Sequence, residues 1–116
     1  MARTRPPVVE VAGQAMAWAQ TGASREGGQV LTTWLTGGEL TDADGARQRW
    51  TLYAGEWRDS YGDIIGAAAR VTVGGREVYL DNHATLASAC YAGARQVEVL
   101  AGIANVRRHR RAKVAA

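Results

Sequence analysis

The amino-acid sequence predicts a mainly helical α+β domain. Helices pack around two long amphipathic helices, at about 42–69 and 84–111, with one β-hairpin at about 70–80 between them. Three observations predict it. Leu86, Cys90, Gly93, Val97, Leu100 and Ala104 recur at alternating four- and three-residue steps, the spacing of one helical face. Ala43, Ala46, Trp50, Tyr53, Trp57, Tyr61, Ile64 and Ala68 do the same upstream. Between these stretches, Val71/Val73 and Val78/Leu80 alternate on either side of Gly74-Gly75, the two-residue turn that a tight hairpin requires.

Taken in order, residues 1–6 read as a basic N-terminal arm and 7–106 as a single globular domain. Pro7 suits the first turn of a helix, and Val8, Val11, Ala15 and Trp18 mark its face as far as Gln20. Ser24 is a candidate cap for a short second helix burying Val30, Leu31, Trp34 and Leu35 and ending at Gly37-Gly38. Gly27 and Gly28 weaken its first turn. Thr41-Asp42-Ala43-Asp44 places a capping hydroxyl and two carboxylates before the first long stripe, where they suit the positive end of a helix dipole. Gly55, Gly62 and Gly66 oppose that helix. A rival reading makes Trp50–Tyr53 and Glu56–Tyr61 strands, because Trp, Thr and Tyr favour sheets. Asp81 or Asn82 is the expected cap of the last helix.

Phe is absent, so Trp18, Trp34, Trp50 and Trp57 supply most of the large-residue burial; Trp50, Trp57, Ile64, Val97, Leu100 and Ile103 are the expected core. The single cysteine excludes an intramolecular disulfide and any cysteine-cluster metal site. No apolar run reaches membrane-spanning length, and the first residues lack the apolar segment of a secretory signal. A cytoplasmic protein with no membrane partner is the expectation.

Charge is unevenly placed. The net charge is +3, yet Arg107, Arg108, Arg110, Arg111 and Lys113 give residues 107–116 a charge of +5, and Arg3 and Arg5 add two more. The intervening segment sets seven arginines against all eleven carboxylates. A ring of cations cannot enter a core, so residues 107–116 form a basic tip that meets solvent or an acidic partner. Arginine's planar fork suits phosphate, although a basic last turn also complements a helix dipole.

Catalysis finds few candidates. His83 and His109 are the only histidines; Cys90 lies on the apolar stripe, and the paired glycines lack the lysine and hydroxyl of a phosphate loop. Glu56, Asp59 and Asp63 share one face of the expected helix, a spacing that suits a solvated acidic surface more than a cation site. The expected function is therefore binding, not enzymatic chemistry, with no metal and no small-molecule cofactor. The reading is a small nucleic-acid-binding protein, for DNA or RNA, making largely sequence-independent phosphate contacts through Arg3, Arg5, Arg76, Arg107, Arg108, Arg110, Arg111 and Lys113. In element order alone, helices followed by a hairpin are similar to a winged helix, with Arg76 near the wing tip. The alternative is a self-associating structural or assembly subunit of virion or nucleoid type with basic arms, since small residues at Gly62, Gly66, Ala89 and Gly93 permit close helix approach.

Overall fold

From Ala19 to His83 the backbone is extended, broken only by short turns. The computed structural model describes residues 5–104. A small hairpin, β1 (Val9–Val11) and β2 (Gln14–Met16), precedes five strands: β3 (Ala19–Glu26), β4 (Gln29–Thr41), β5 (Arg47–Arg58), β6 (Ile64–Val73) and β7 (Arg76–His83). These pair antiparallel in sequence order, and helix α1 (Leu86–Leu100) closes the described chain. The fold is mainly β, which overturns the mainly helical expectation. The long helix expected at 42–69 is β5, β6 and their flanking turns, and the earlier segments read as helices are β1 to β4. The resemblance to a winged helix falls with them, whereas the rival strand reading agrees over Trp50–Tyr53 and from Glu56 to Arg58, all within the single strand β5. Residues 59–61 belong to the turn that follows.

The error has a physical origin. In β5 the side chains of Trp50, Leu52, Ala54 and Glu56 point to one face, and those of Tyr53 and Trp57, with Gly55 between them, to the other. Both faces carry apolar groups, so the period-two signal is blurred and the three- and four-residue steps fit by coincidence. Asp42 misled in a second way. Its Oδ1 accepts the N–H groups of Asp44 and Ala46, each at 2.9 Å, inside the β4–β5 turn. Asp59 does the same for Tyr61 and Asp63 in the β5–β6 turn. An aspartate that folds such a turn offers the same hydrogen bonds as one that caps a helix.

The hairpin expected at 70–80 is present and longer, running from Ile64 to His83. Gly74 and Gly75, at φ 55° and 87°, connect Val73 to Arg76. Two positive φ values in succession make the turn whose twist matches the flanking strands.

The C-terminal helix keeps its expected face: Leu86, Cys90, Gly93 and Val97 are buried. Its ends differ. Asp81 and Asn82 lie in β7, and the cap is Thr85, whose Oγ1 accepts the Ser88 N–H at 3.1 Å. The helix stops at Leu100, not at about 111. There Gly102 turns left-handed (φ 76°), its N–H reaching Val99 O and that of Ile103 reaching Glu98 O, both at 3.0 Å. This pairing closes helix ends by satisfying their last carbonyls. Residues 105–111 of the expected helix lie outside the described residues.

α1 lies across β5, β6 and β7 and also meets β1. Beneath it and the β1–β2 hairpin sit Trp34, Leu40, Trp50, Leu52, Ala54, Ala67, Ala69, Val71 and Val73. Of the expected core, Trp50 and Val97 are fully buried, and Leu100 and Ile103 pack at its margin. Trp57 lies on the opposite face of the sheet, and Ile64 is 40% exposed. One face of the sheet is thus covered, and the other is bare among the described residues.

Candidate functional site

The register of the strands arranges the bare face into cross-strand rows. Gly22, Thr33, Gly55 and Ala68 lie side by side across β3, β4, β5 and β6. At β7 the pairing shifts between Ala67 and Ala69, so that Asp81 and Asn82 stand opposite Ala68. A row of small side chains makes a trench, and the carboxylate of Asp81 closes one end of it.

The neighbouring rows are its walls. On one side Leu31 pairs with Trp57 and Trp57 with Gly66. On the other, Leu35, Tyr53, Arg70 and Tyr79 are consecutive partners across β4 to β7. Wall residues such as Tyr53 and Trp57 are four apart along the strand, about 13–14 Å between their Cα atoms. Side chains narrow this to a slot of about 180 Å³, lined by Leu31, Thr33, Tyr53, Trp57, Arg70 and Tyr79 among others. Gly55 keeps the floor low: a Cβ there would lie 3.1 Å from Leu31 Cδ1. Beyond Trp57 and Asp81 a wider depression of about 580 Å³ opens, reaching Ile65, Gly66, Asn82 and His83.

Electrostatics give the slot two polar ends. The Arg70 guanidinium lies 5.1 Å from the centre of the Tyr53 ring, a cation–π contact. It also faces Glu77 at 3.8 Å, a loose, exposed pair worth little on its own. Thr33 and Thr21, joined by a 2.9 Å hydrogen bond, hold the Tyr53 phenol below its ordinary pKa, with the Arg70 charge adding to the effect. Tyr79, 63% exposed, rises freely from the opposite end of the same row. Aromatic faces, one guanidinium, hydroxyls and one carboxylate suit a flat, polar-edged ring. They contain no paired nucleophile and base.

The residues expected from sequence fall elsewhere. Arg5 is exposed just before β1, and Arg76 is exposed at the start of β7. Neither forms an ion pair among the described residues. Arg3, Arg107, Arg108, Arg110, Arg111 and Lys113 lie outside those residues. The acidic group is dispersed. Glu56 is only 3% exposed, on the helix-covered face, with Oε1 2.9 Å from Arg58 Nε; Asp59 is engaged in its turn. No group of three His, Cys, Asp or Glu side chains that could hold a metal occurs among the described residues.

Sequence reasoning missed Tyr53, Trp57, Arg70, Tyr79 and Asp81 as site residues. Part of the signal was present: once Gly74-Gly75 is a two-residue turn, Arg70 must pair with Tyr79 on the face opposite Val71 and Val78. Comparison with known proteins supplies no relative: the chain matches no family model, no curated protein and no solved structure.

Proposed function

We propose that the protein binds single-stranded nucleic acid on the bare sheet face, with its basic ends supplying phosphate contacts. The observation that carries this reading is the trench wall, where Tyr53, Arg70 and Tyr79 stand in one row opposite Trp57. Aromatic rings on an open sheet stack unpaired bases, and a five-strand width accommodates about two or three of them. Stacking tolerates any base because every base has a π-face. Duplex bases are already stacked and are not available to such a surface. The cationic residues at 107–116, with Arg3 and Arg5, fit a polyanion whatever its sequence.

Fluorescence anisotropy with labelled single-stranded RNA, single-stranded DNA and duplex DNA, each at two salt concentrations, tests this. Single strands bind more tightly than the duplex. Trp57→Ala and Tyr79→Ala each weaken them by about 1–3 kcal/mol, the worth of one stacked base. Deleting residues 107–116 flattens the salt dependence, because each lost phosphate contact removes about 0.7 from the slope for a single strand. No binding of any of the three ligands at low salt would sink the reading.

A second reading, self-association, is favoured by β3. All eight of its residues are exposed, and its outer edge has no strand partner among the described residues. Such an edge is a template for another chain. Proline at Ala23, in mid-strand, would abolish a dimer built on that edge, as read by sizing chromatography against the parent.

A further inference from the structure

Resting on the single-strand reading above, we infer that the Asp81 end of the trench is a base-selective subsite that prefers guanine. Asp81 lines both the slot and the wider depression beyond it, as do Trp57 and Ala68. A ring that enters between the walls at this end rests against Trp57 and over the small floor of Ala68. Its outer edge then meets the Asp81 carboxylate.

The two oxygens of an ionised carboxylate only accept hydrogen bonds. The four bases differ in what they can donate to it. Guanine presents N1–H and an N2 amino hydrogen side by side, matching both oxygens at once. Adenine and cytosine each present a single amino group beside an acceptor nitrogen that the carboxylate repels. Uracil and thymine present one imide N–H between two carbonyl oxygens. Asp81 is exposed and makes no ion pair among the described residues, so its oxygens are available. Arg70 occupies the row alongside rather than the carboxylate itself, its nearest acidic partner being Glu77. Elsewhere along the trench the floor offers only Thr33 and backbone, and the Arg70 guanidinium on the wall is engaged by the Tyr53 ring and Glu77, so the other positions chiefly stack. A largely sequence-independent protein with one selective position results.

The probes are short uracil oligonucleotides carrying one central guanine, inosine, adenine or cytosine, with thymine-based DNA equivalents, read by anisotropy on the full chain. The guanine oligonucleotide binds about tenfold more tightly than the adenine one, within the range of a good two-bond base contact. Inosine, which lacks the N2 amino group, falls between them. Asp81→Ala brings the ratio of guanine to adenine affinity down to about one, whatever it does to the affinity for uracil, and Asp81→Asn, which keeps the size of the side chain, reduces that ratio. Equal affinities for all four in the parent, with single-strand binding intact, overturn the inference and leave the single-strand reading standing. No binding of any oligonucleotide overturns both. A short arginine-rich peptide that displaces the RNA from the parent but not from Asp81→Ala overturns it in favour of a cationic protein partner, whose guanidinium would occupy the same end.

Discussion

The backbone N–H of Ala12 donates a 2.9 Å hydrogen bond to Oε2 of Glu98, 86 residues further along the chain. Ala12 occupies the β1–β2 turn at φ 52°, followed by Gly13 at 81°. This single carboxylate fastens the N-terminal hairpin to α1 at a residue whose backbone resists that shape. The left-handed region costs a non-glycine residue roughly 1–2 kcal/mol. Ala12→Gly should therefore stabilise the fold by about 1 kcal/mol, the greater flexibility of glycine offsetting part of the relief. Glu98→Ala should destabilise it by about 1.5–3 kcal/mol, the range for losing a hydrogen bond to a charged group. Urea titrations measure both, and an Ala12→Gly variant with an unmoved midpoint would mean the turn is not strained.

Gly93 makes a second prediction because the helix touches the sheet there. A Cβ at Gly93 would fall 2.3 Å from Leu52 Cδ1, too close for any real contact. In an isolated helix alanine is favoured over glycine by about 1 kcal/mol. Here Gly93→Ala should instead destabilise by about 1–3 kcal/mol, the cost of overpacking a core. Shortening the neighbour with Leu52→Val in the same chain should recover part of the loss. Thermal melts of the two single variants and the pair decide it; strict additivity would mean the two residues do not meet.

The tryptophans separate by face. Trp50, 2% exposed, lies in the buried core, and Trp50→Ala should cost about 3–5 kcal/mol. Trp57 is the larger loss for the site and the smaller one for the fold, since it stands on the bare face. Equal destabilisation by both substitutions in chemical denaturation would place Trp57 in the core after all.

Cys90 is fully buried, and burial pushes its thiol from the ordinary 9.0 up to about 12. The folded chain should resist an exposed-thiol reagent at neutral pH and react only on unfolding. The same shift gives a stability effect with a definite sign. Between pH 9 and about 12 the unfolded thiol has lost its proton while the folded one keeps it, so stability falls as pH rises through that window. Cys90→Ala removes this component, and its denaturation midpoint should fall less steeply above pH 9 than the parent's.

How much was legible depended on what each residue type can do in only one way. Gly74-Gly75 between alternating valines has one common solution, and the hairpin followed. The face of α1 was readable because Leu86, Cys90 and Val97 meet only one neighbour, the sheet. β4 and β5 were not, because Leu31, Tyr53 and Trp57 place apolar groups on the face that strands usually leave polar. Those residues disguised the strands and are also the ones that line the trench. The helix end was visible in Gly102 but was outweighed by periodicity continuing through Ile103 and Ala104. The site could not be read from charge, because its aromatic wall comes together only through the register of four strands.

Every strand of the five-stranded sheet pairs with its neighbour in sequence, and that order governs how the chain reaches its structure. Each hairpin closes a short turn, so its entropic cost is met locally and early, as in topologies of low contact order. The return of α1 over β5 and β6 and the capture of the first hairpin by Glu98 span the greatest lengths of chain and are the expected late steps. Substitutions at the Gly74-Gly75 turn should then slow folding, whereas Glu98→Ala should chiefly speed unfolding. On this ordering the sheet, bare face included, should form before the helix that hides its other side, and stopped-flow folding of the two variants checks it.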